Sequence, residues 1–583
     1  MARKLATWAL YLSGAIGAPA HETGSLDRER RQDLLPSNLS VDLDYAIYKG
    51  THNSTTGLNV WKGIRYAAAP IGSLRWASPQ TPTKNRTTQF ATTFGPNCPQ
   101  AYPAVPNAPR IPGDEDCLIL NVYAPKTTSR KLPVLVWIHG GGYGFGDGTQ
   151  DLSTIINAND QGFIGVSIQY RLGAFGFLSS SEVKSKGTPN AGILDMAFAL
   201  EWVQKHIAKF GGDNAKVTIS GESAGAGGVM LLGIARGGSL GSRWYRGGIA
   251  ASPYLPAQYN YDAAVPTTHY YDFSSRVGCG SSGNVLECLR GKDSATLQQA
   301  NQNVTASATY GSWAFLPVTD GSFITSRPST ALAAKAVNGE AILVGNNVNE
   351  GALFVPPIIS TLDGLKAWLQ QEFPTFTDAD VQSVLNTYPS TDEPVDPTSP
   401  KFATNGLSGA TAINVSQAAT GQQQRGNNIL AEATFICPSY WLNTAYTFKT
   451  STYHYQYSVP FASHTDDISA YFGPSTPNQS AAFSQAFRQI WGNFIKNQSA
   501  AVEIDRVLKA WPKWDGGNDA KMANLNETGG VPYETVTQFG VTVTQFADPG
   551  LKNDFKVVDA YDWEGGRGKR CEFWKSMADK VSI

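Results

Sequence analysis

One stretch constrains this chain more than any other: Val217–Ser220, then Gly221-Glu222-Ser223-Ala224-Gly225, then a helix predicted over Ala224–Ala235. The first part reads as a short buried strand, and the five residues after it form a G-x-S-x-G turn. A strand that passes into a helix so abruptly forces the serine between them into a strained backbone conformation. Glycine is needed on both sides, because a side chain there would collide with neighbouring backbone. The strain lifts the Ser223 hydroxyl out of the sheet, and the N-terminus of the following helix favours negative charge beside it. Bare G-x-S-x-G matches occur by chance in many chains; the strand before this one and the helix after it give it weight.

The flanking sequence repeats the same alternation. Leu132–Ile138 and Phe163–Tyr170 are apolar runs that read as buried strands. Ile249–Ser252, Ala341–Val344 and Tyr453–Val459 read as further strands. Ile193–Phe210 has helical spacing, with Leu194, Phe198, Trp202 and Ile207 on one side, and Gly211-Gly212 ends it. Strands alternating with helices predict an α/β fold around a large, mostly parallel sheet. Residues 374–400, rich in Pro, Ser, Thr and Asp, read as surface loop.

A serine nucleophile needs a base and donors for an oxyanion. His139-Gly140-Gly141-Gly142 follows the strand Leu132–Ile138, and consecutive glycines let backbone N–H groups face a ligand. No G-x-x-x-x-G-K-[ST] or dinucleotide spacing is present, so a phosphate loop is excluded. The expected donors are the N–H groups of Gly141, Gly142 and Ala224. In sheets that carry such an elbow, an acid and then a histidine follow the serine along the chain. Of seven histidines, only His269, His454 and His464 follow Ser223. His269 leaves little room for an acid loop, and His454 sits inside an alternating Tyr-rich strand, where packing explains it. His464 lies just past that strand's end, where such folds place reactive groups. For the acid, Glu350 follows the strand Ala341–Val344 and the polar turn Gly345–Asn349. Asp320 competes, but a turn-forming Asp-Gly accounts for it.

With 583 residues, 42% hydrophobic and 16% charged, the chain can bury a large core. No linker, internal repeat or low-complexity block divides it, so residues 21–583 read as one domain with its core from about 46 to 574. A formal charge of −1 argues against a nucleic-acid partner. The short basic clusters at Arg28–Arg31 and Arg567–Arg570 read as solvated surface, the first also as a processing site. Met1–Ala20 has the basic start, apolar run and A-x-A ending of a signal peptide, which predicts export. No later stretch has about 18 unbroken apolar residues, so no membrane span is expected. Six cysteines (Cys98, Cys117, Cys279, Cys288, Cys437 and Cys571) suit an oxidising compartment, with spacing alone leaving the pairing open. No C-x-x-C is present, and neither metal nor organic cofactor is expected. Sequons occur at Asn38, Asn53, Asn85, Asn303, Asn414, Asn478, Asn497 and Asn526.

Taken together these motifs resemble the type-B carboxylesterase and lipase family, which includes the cholinesterases, and its fungal secreted branch in particular. Gly63-Ile64-Arg65-Tyr66-Ala67 with Pro70 and Gly72 is similar to the family's N-terminal segment. Phe210-Gly211-Gly212 with Val217, Ile219 and the elbow resembles its serine signature. Glu115-Asp116-Cys117-Leu118 through Pro125 resembles its cysteine signature, except that Ile119 replaces the usual aromatic or Thr. Asn349-Glu350-Gly351, and His464 nine residues before Gly473, fall where the family has its acid and base. The resemblance implies an α/β-hydrolase fold and a triad of Ser223, Glu350 and His464 acting on small-molecule esters. It implies bridges Cys98–Cys117, Cys279–Cys288 and Cys437–Cys571. Ion pairs Arg75–Glu115 and Arg171–Asp195 are implied the same way.

Lipases of this family carry a long amphipathic lid between the first two cysteines. Here that loop holds Pro103, Pro106, Pro109 and Pro112 and few large aliphatics, which favours a soluble ester. It has no Trp, which argues against choline esters. Trp137, Trp313 and Phe315 are candidates for an acyl pocket or for the core. An interfacial lipase or sterol esterase and a metabolite-tailoring esterase or acyltransferase are the alternatives. A non-catalytic cholinesterase-like adhesion protein would have lost triad members, and this chain keeps all three.

Overall fold

A computed structural model describes residues 39–126, 130–389, 419, 421–536 and 542–583. The expected signal peptide, Arg28–Arg31, Asn38 and Asn414 lie outside them.

Eleven strands form the central sheet. In chain order they are β1 (Thr51–Asn53), β2 (Leu58–Arg65), β3 (Ile119–Pro125), β4 (Leu132–Ile138), β5 (Ile164–Ile168), β6 (Gly212–Glu222), β7 (Gly247–Ala251), β8 (Ala341–Asn347), β9 (Ser451–Tyr457), β10 (Lys521–Leu525) and β11 (Lys556–Asp559). Their spatial order is β11-β10-β9-β8-β7-β6-β4-β5-β3-β2-β1. Every pairing from β10 to β5 is parallel, and the pairings at both edges are antiparallel. A parallel strand is buried on both faces, which is why β4 is a continuous apolar run and β5 is apolar apart from Ser167. Along β4, Val134, Val136 and Ile138 pack on one face while Leu135 and Trp137 pack on the other.

Helices α1 (Ala191–His206) and α2 (Ala224–Ile234) cover the first face, and α3 (Ala481–Asn497) covers the second. All of α2 is buried, although four of its eleven residues are glycine. That composition disfavours an isolated helix; close packing decides the matter, since a Cβ at Gly228 would lie 2.8 Å from Met196 Sδ.

Several boundaries differ from the sequence reading. The strand before the elbow starts at Gly212, and β8 runs to Asn347, so three of the five residues of the expected polar turn are strand. α1 stops at His206, and Ile207–Phe210 tighten into a 3-10 turn ended by Gly211 at φ 90°. Leu194 and Phe198 are only half-buried, because Ile193, Met196, Leu200 and Val203 take the innermost places. Within the expected surface loop, Asp378–Thr387 is a helix opened by a capping box between Thr377 and Asp380. Arg567 and Arg570 are not solvated: both are buried against Glu432, which Arg570 grips at 2.7 Å through Nε and Nη2. The other two ion pairs are present and buried, Arg75 with Glu115 at 2.6 Å and Arg171 with Asp195 at 2.7 Å. Disulfides join Cys98 to Cys117, Cys279 to Cys288 and Cys437 to Cys571. No described helix is long and apolar enough to cross a membrane.

Candidate active site

Ser223 sits between β6 and α2 at φ 56° and ψ −124°. A residue with a Cβ adopts that conformation only where its surroundings force it. Here a Cβ at Gly225 would stand 2.1 Å from the Ile138 carbonyl oxygen, so β4 and the turn touch backbone to backbone. The Ser223 N–H donates to the Ala251 carbonyl at 3.0 Å. The Ser223 carbonyl accepts from the N–H groups of Gly227 at 2.8 Å and Tyr254 at 3.1 Å.

Gly141 and Gly142 follow β4 with φ values of 94° and 60°, which only glycine adopts freely. The Gly141 carbonyl accepts from the N–H groups of Gly144 and Phe145, closing the turn. Among the described residues no acceptor pairs with the N–H of Gly141 or Gly142. Ala224 opens α2, so its N–H is one of the helix's unpaired first donors. Trp313 lies across this loop: a Cβ on Gly142 would fall 2.1 Å from its ring, and its Nε1 donates to Ala101 O at 3.1 Å. Of the three aromatic candidates, only Trp313 is at the site. Phe315 packs on Phe273, and Trp137 packs on Phe472 at 4.7 Å on the other face of the sheet.

Glu350 and His464 arrive on the loops after β8 and β9. The loops are stitched together, Asn349 N–H donating to Ala462 O at 2.9 Å and Asn349 Nδ2 to Phe461 O at 2.8 Å. His464 Nδ1 donates to Glu350 Oε2 at 2.5 Å. Glu350 is fully buried, and its other oxygen accepts from Ser252 Oγ at 2.6 Å and the Asn347 N–H at 2.5 Å. Three donors therefore hold the carboxylate in one orientation. His464 Nε2 is buried with no hydrogen-bond partner among the described residues. It lies 3.3 Å from Glu222 Oε1, and no hydrogen bond joins it to Ser223 in this conformation.

The competing candidates are occupied elsewhere. His454 Nε2 is 3.0 Å from Asn346 Oδ1, and burial pushes the ring down to about 3. His269 Nδ1 is 2.7 Å from Ala314 O. Asp320 accepts from Ser322, Phe323 and Asn190, the work of a turn.

Sequence reading missed the second layer. Glu222, inside the elbow motif, has its carboxyl pushed well up by burial and then by the charges of Asp467 and Glu350, which favours its neutral form. Asp466 and Asp467 are pushed up to about 7, chiefly by burial. Asp467 accepts from Asn347 Nδ2 and the Tyr455 hydroxyl at 3.3 and 3.2 Å. Phe354 and Phe435 pack their rings 5.2 and 4.5 Å from the imidazole. A carboxylate in an otherwise buried strand end was a visible signal for Glu222; nothing local marked the two phenylalanines. Among the described residues no group of His, Cys, Asp and Glu is arranged to hold a metal ion.

Of the sequons, Asn53, Asn85, Asn303 and Asn497 are exposed, and Asn526 is half-buried. Asn478 is a correction: it is buried, and its amide donates to Pro460 O at 2.6 Å, which leaves no room for a glycan.

Comparison with known proteins agrees with this geometry. Residues 37–539 match the model of the carboxylesterase family. A secreted triacylglycerol lipase of Gibberella zeae is 34% identical over 371 residues, 58% of this chain and 63% of the lipase's own length. Secreted lipase 1 of Botryotinia fuckeliana is 31% identical over 80% of this chain and 86% of its own. Among solved structures, EstA of Aspergillus niger superposes with a TM-score of 0.74 at 27% identity, covering 93% of this chain and 99% of EstA. With its elbow, its mostly parallel sheet and these relatives, the chain has the α/β-hydrolase fold and belongs to the carboxylesterase family of carboxylic ester hydrolases.

Proposed function

We propose that this hydrolase cleaves its ester through an acyl-enzyme on Ser223, with His464 as base, Glu350 as its orienting acid, and the N–H groups of Gly141, Gly142 and Ala224 as the oxyanion hole. The observation that carries the reading is the 2.5 Å contact from His464 Nδ1 to Glu350, which leaves Nε2 as the free nitrogen beside the elbow. Nε2 takes the Ser223 proton as the hydroxyl oxygen attacks the ester carbonyl. Glu350 stabilises the imidazolium that forms. Each oxyanion donor contributes about 3–4 kcal/mol by being in place before charge develops. The imidazolium protonates the departing alcohol, and water activated by the same nitrogen releases the acid.

Trapping tests it. A phosphonate ester with a good leaving group should modify Ser223 one to one and abolish turnover in step with labelling. Complete loss of activity with the label on another residue would overturn the assignment.

A small, soluble ester is the substrate the strap supports. Residues 99–116 form no helix, and the segment is tied down: Ala101 N–H donates to Gly144 O at 2.8 Å, Ala104 N–H to Ser312 O at 2.9 Å, and Tyr102 N–H to Gln302 Oε1 at 2.8 Å. A strap fixed at so many points does not swing open at an oil surface. The rate should follow ordinary saturation through the solubility limit of a short-chain ester; an abrupt rise at that limit would assign the protein to the interfacial lipases. Export of the chain rests on the signal-like start, the three disulfides and the relatives named as secreted.

A further inference from the structure

A cleft of about 520 Å³, counted with its mouth, lies directly behind the aromatic wall of the candidate site. Phe354 and Phe435, which pack on the His464 ring, form one side of it, and Tyr254, whose N–H holds the Ser223 carbonyl, forms another. Ser312 adds a third contact with the site, since the next residue is Trp313, which covers the oxyanion loop. The lining is largely aromatic and aliphatic, and it holds a single charged side chain, that of Glu372.

Glu372 is placed against its own charge. It is the last residue of the helix Leu362–Glu372, whose carbonyl end repels an anion. Among the described residues no basic side chain lines the cleft. Glu372 is itself only half-buried, yet desolvation pushes its carboxyl up to about 7, and among the described residues no donor or cation offsets that cost. Glu350, by contrast, has three donors, Asp467 two, and Glu432 two arginines. Glu372 is an acceptor with no hydrogen-bond donor among the described residues.

Resting on the ester-hydrolysis reading above, we propose that the cleft receives the end of the substrate remote from the reacting carbonyl, and that Glu372 there selects a chain ending in a hydrogen-bond-donating group, a hydroxyl or an amine. The aromatic walls take the apolar stem, and the carboxyl takes the donor at its end. A methyl-ended chain of the same length would desolvate the carboxyl without replacing the water it loses, which is how a buried polar group rejects an apolar analogue.

The test uses p-nitrophenyl esters of one acyl length ending in methyl, hydroxyl or amine, with the full chain and with Glu372→Gln, Glu372→Leu and Ser223→Ala. Thermal melts of each variant report folding. Wild type should favour a donor-ended ester over the methyl-ended one in kcat/KM by about tenfold, through KM. Glu372→Leu should erase or reverse that ratio. Glu372→Gln separates the two donors: a hydroxyl preference survives a neutral acceptor, an amine preference falls with the charge. An unchanged ratio in a folded Glu372→Leu, or a wild-type preference for methyl, would overturn the subsite and leave the triad intact. Turnover by Ser223→Ala at the wild-type rate would instead overturn the ester mechanism beneath it.

Discussion

Replacing Ser223 by Ala is expected to lower ester turnover by roughly 10⁵-fold or more while leaving the melting temperature within a degree or so of wild type. That loss corresponds to about 7 kcal/mol of transition-state stabilisation. The hydroxyl accepts and donates no hydrogen bond that the fold depends on, and alanine keeps the same Cβ in the same strained backbone well. What remains is the rate that positioning and the oxyanion donors supply unaided. Ser223→Gly sharpens the expectation. It is equally inactive, but glycine occupies φ 56° and ψ −124° freely, so the variant should be more stable than wild type by about 1–3 kcal/mol. Steady-state assays beside thermal melts check both halves. A serine-free chain that still hydrolyses a chromogenic ester would remove the nucleophile; a Ser223→Gly chain less stable than wild type would remove the claim of strain.

Glu432→Gln should be the most damaging single change away from the chemistry, costing about 3–5 kcal/mol. Glu432 pairs with both Arg567 and Arg570 and accepts from the Tyr388 hydroxyl at 2.6 Å, all of them buried. The glutamine side chain fits the space but removes the carboxylate that both guanidinium groups contact. Arginine cannot escape by losing its proton, so the cost falls on the folded state. The arginines in turn hold the carboxyl below its usual range despite its burial. Glu432 also opens the π-helical turn Glu432–Ile436, which carries Phe435 against His464. A fall in kcat should therefore accompany the fall in stability. The control is Glu572→Gln, on a side chain 61% exposed beside Lys575, which should move stability by less than about 0.5 kcal/mol. If the two substitutions prove equally mild, the cluster is not the anchor described here.

These outcomes separate what the residues disclosed by themselves from what only packing disclosed. The strained turn at Ser223 was legible because its backbone is dictated by a few neighbours: a strand, two glycines and a helix start. The meeting of Glu350 with His464 was legible at one remove, through chain order and strand ends, since loops past parallel strands converge on one edge of the sheet. Arg567 and Arg570 were misread as surface because the carboxylate that buries them lies far away in the sequence, and a charge's burial is a property of the pair. The helix Asp378–Thr387 was hidden by a Pro- and Asp-rich context whose acidic residues turned out to serve its first turn. Phe354, Phe435 and Glu372 carry no local mark; they meet only once β8, β9 and the helices beyond them have packed.

The register of the sheet also sets an order in time. β9 pairs with β8 through Ser451–Tyr457, and His464 reaches Glu350 only after that pairing exists. On the proposed mechanism, Ser223 leaves the ribosome during synthesis long before His464, its base. On that mechanism a nascent or prematurely ended chain lacks the group that deprotonates Ser223 and is expected to be inert toward esters. Ester-cleaving competence is then expected late, with the last third of the polypeptide.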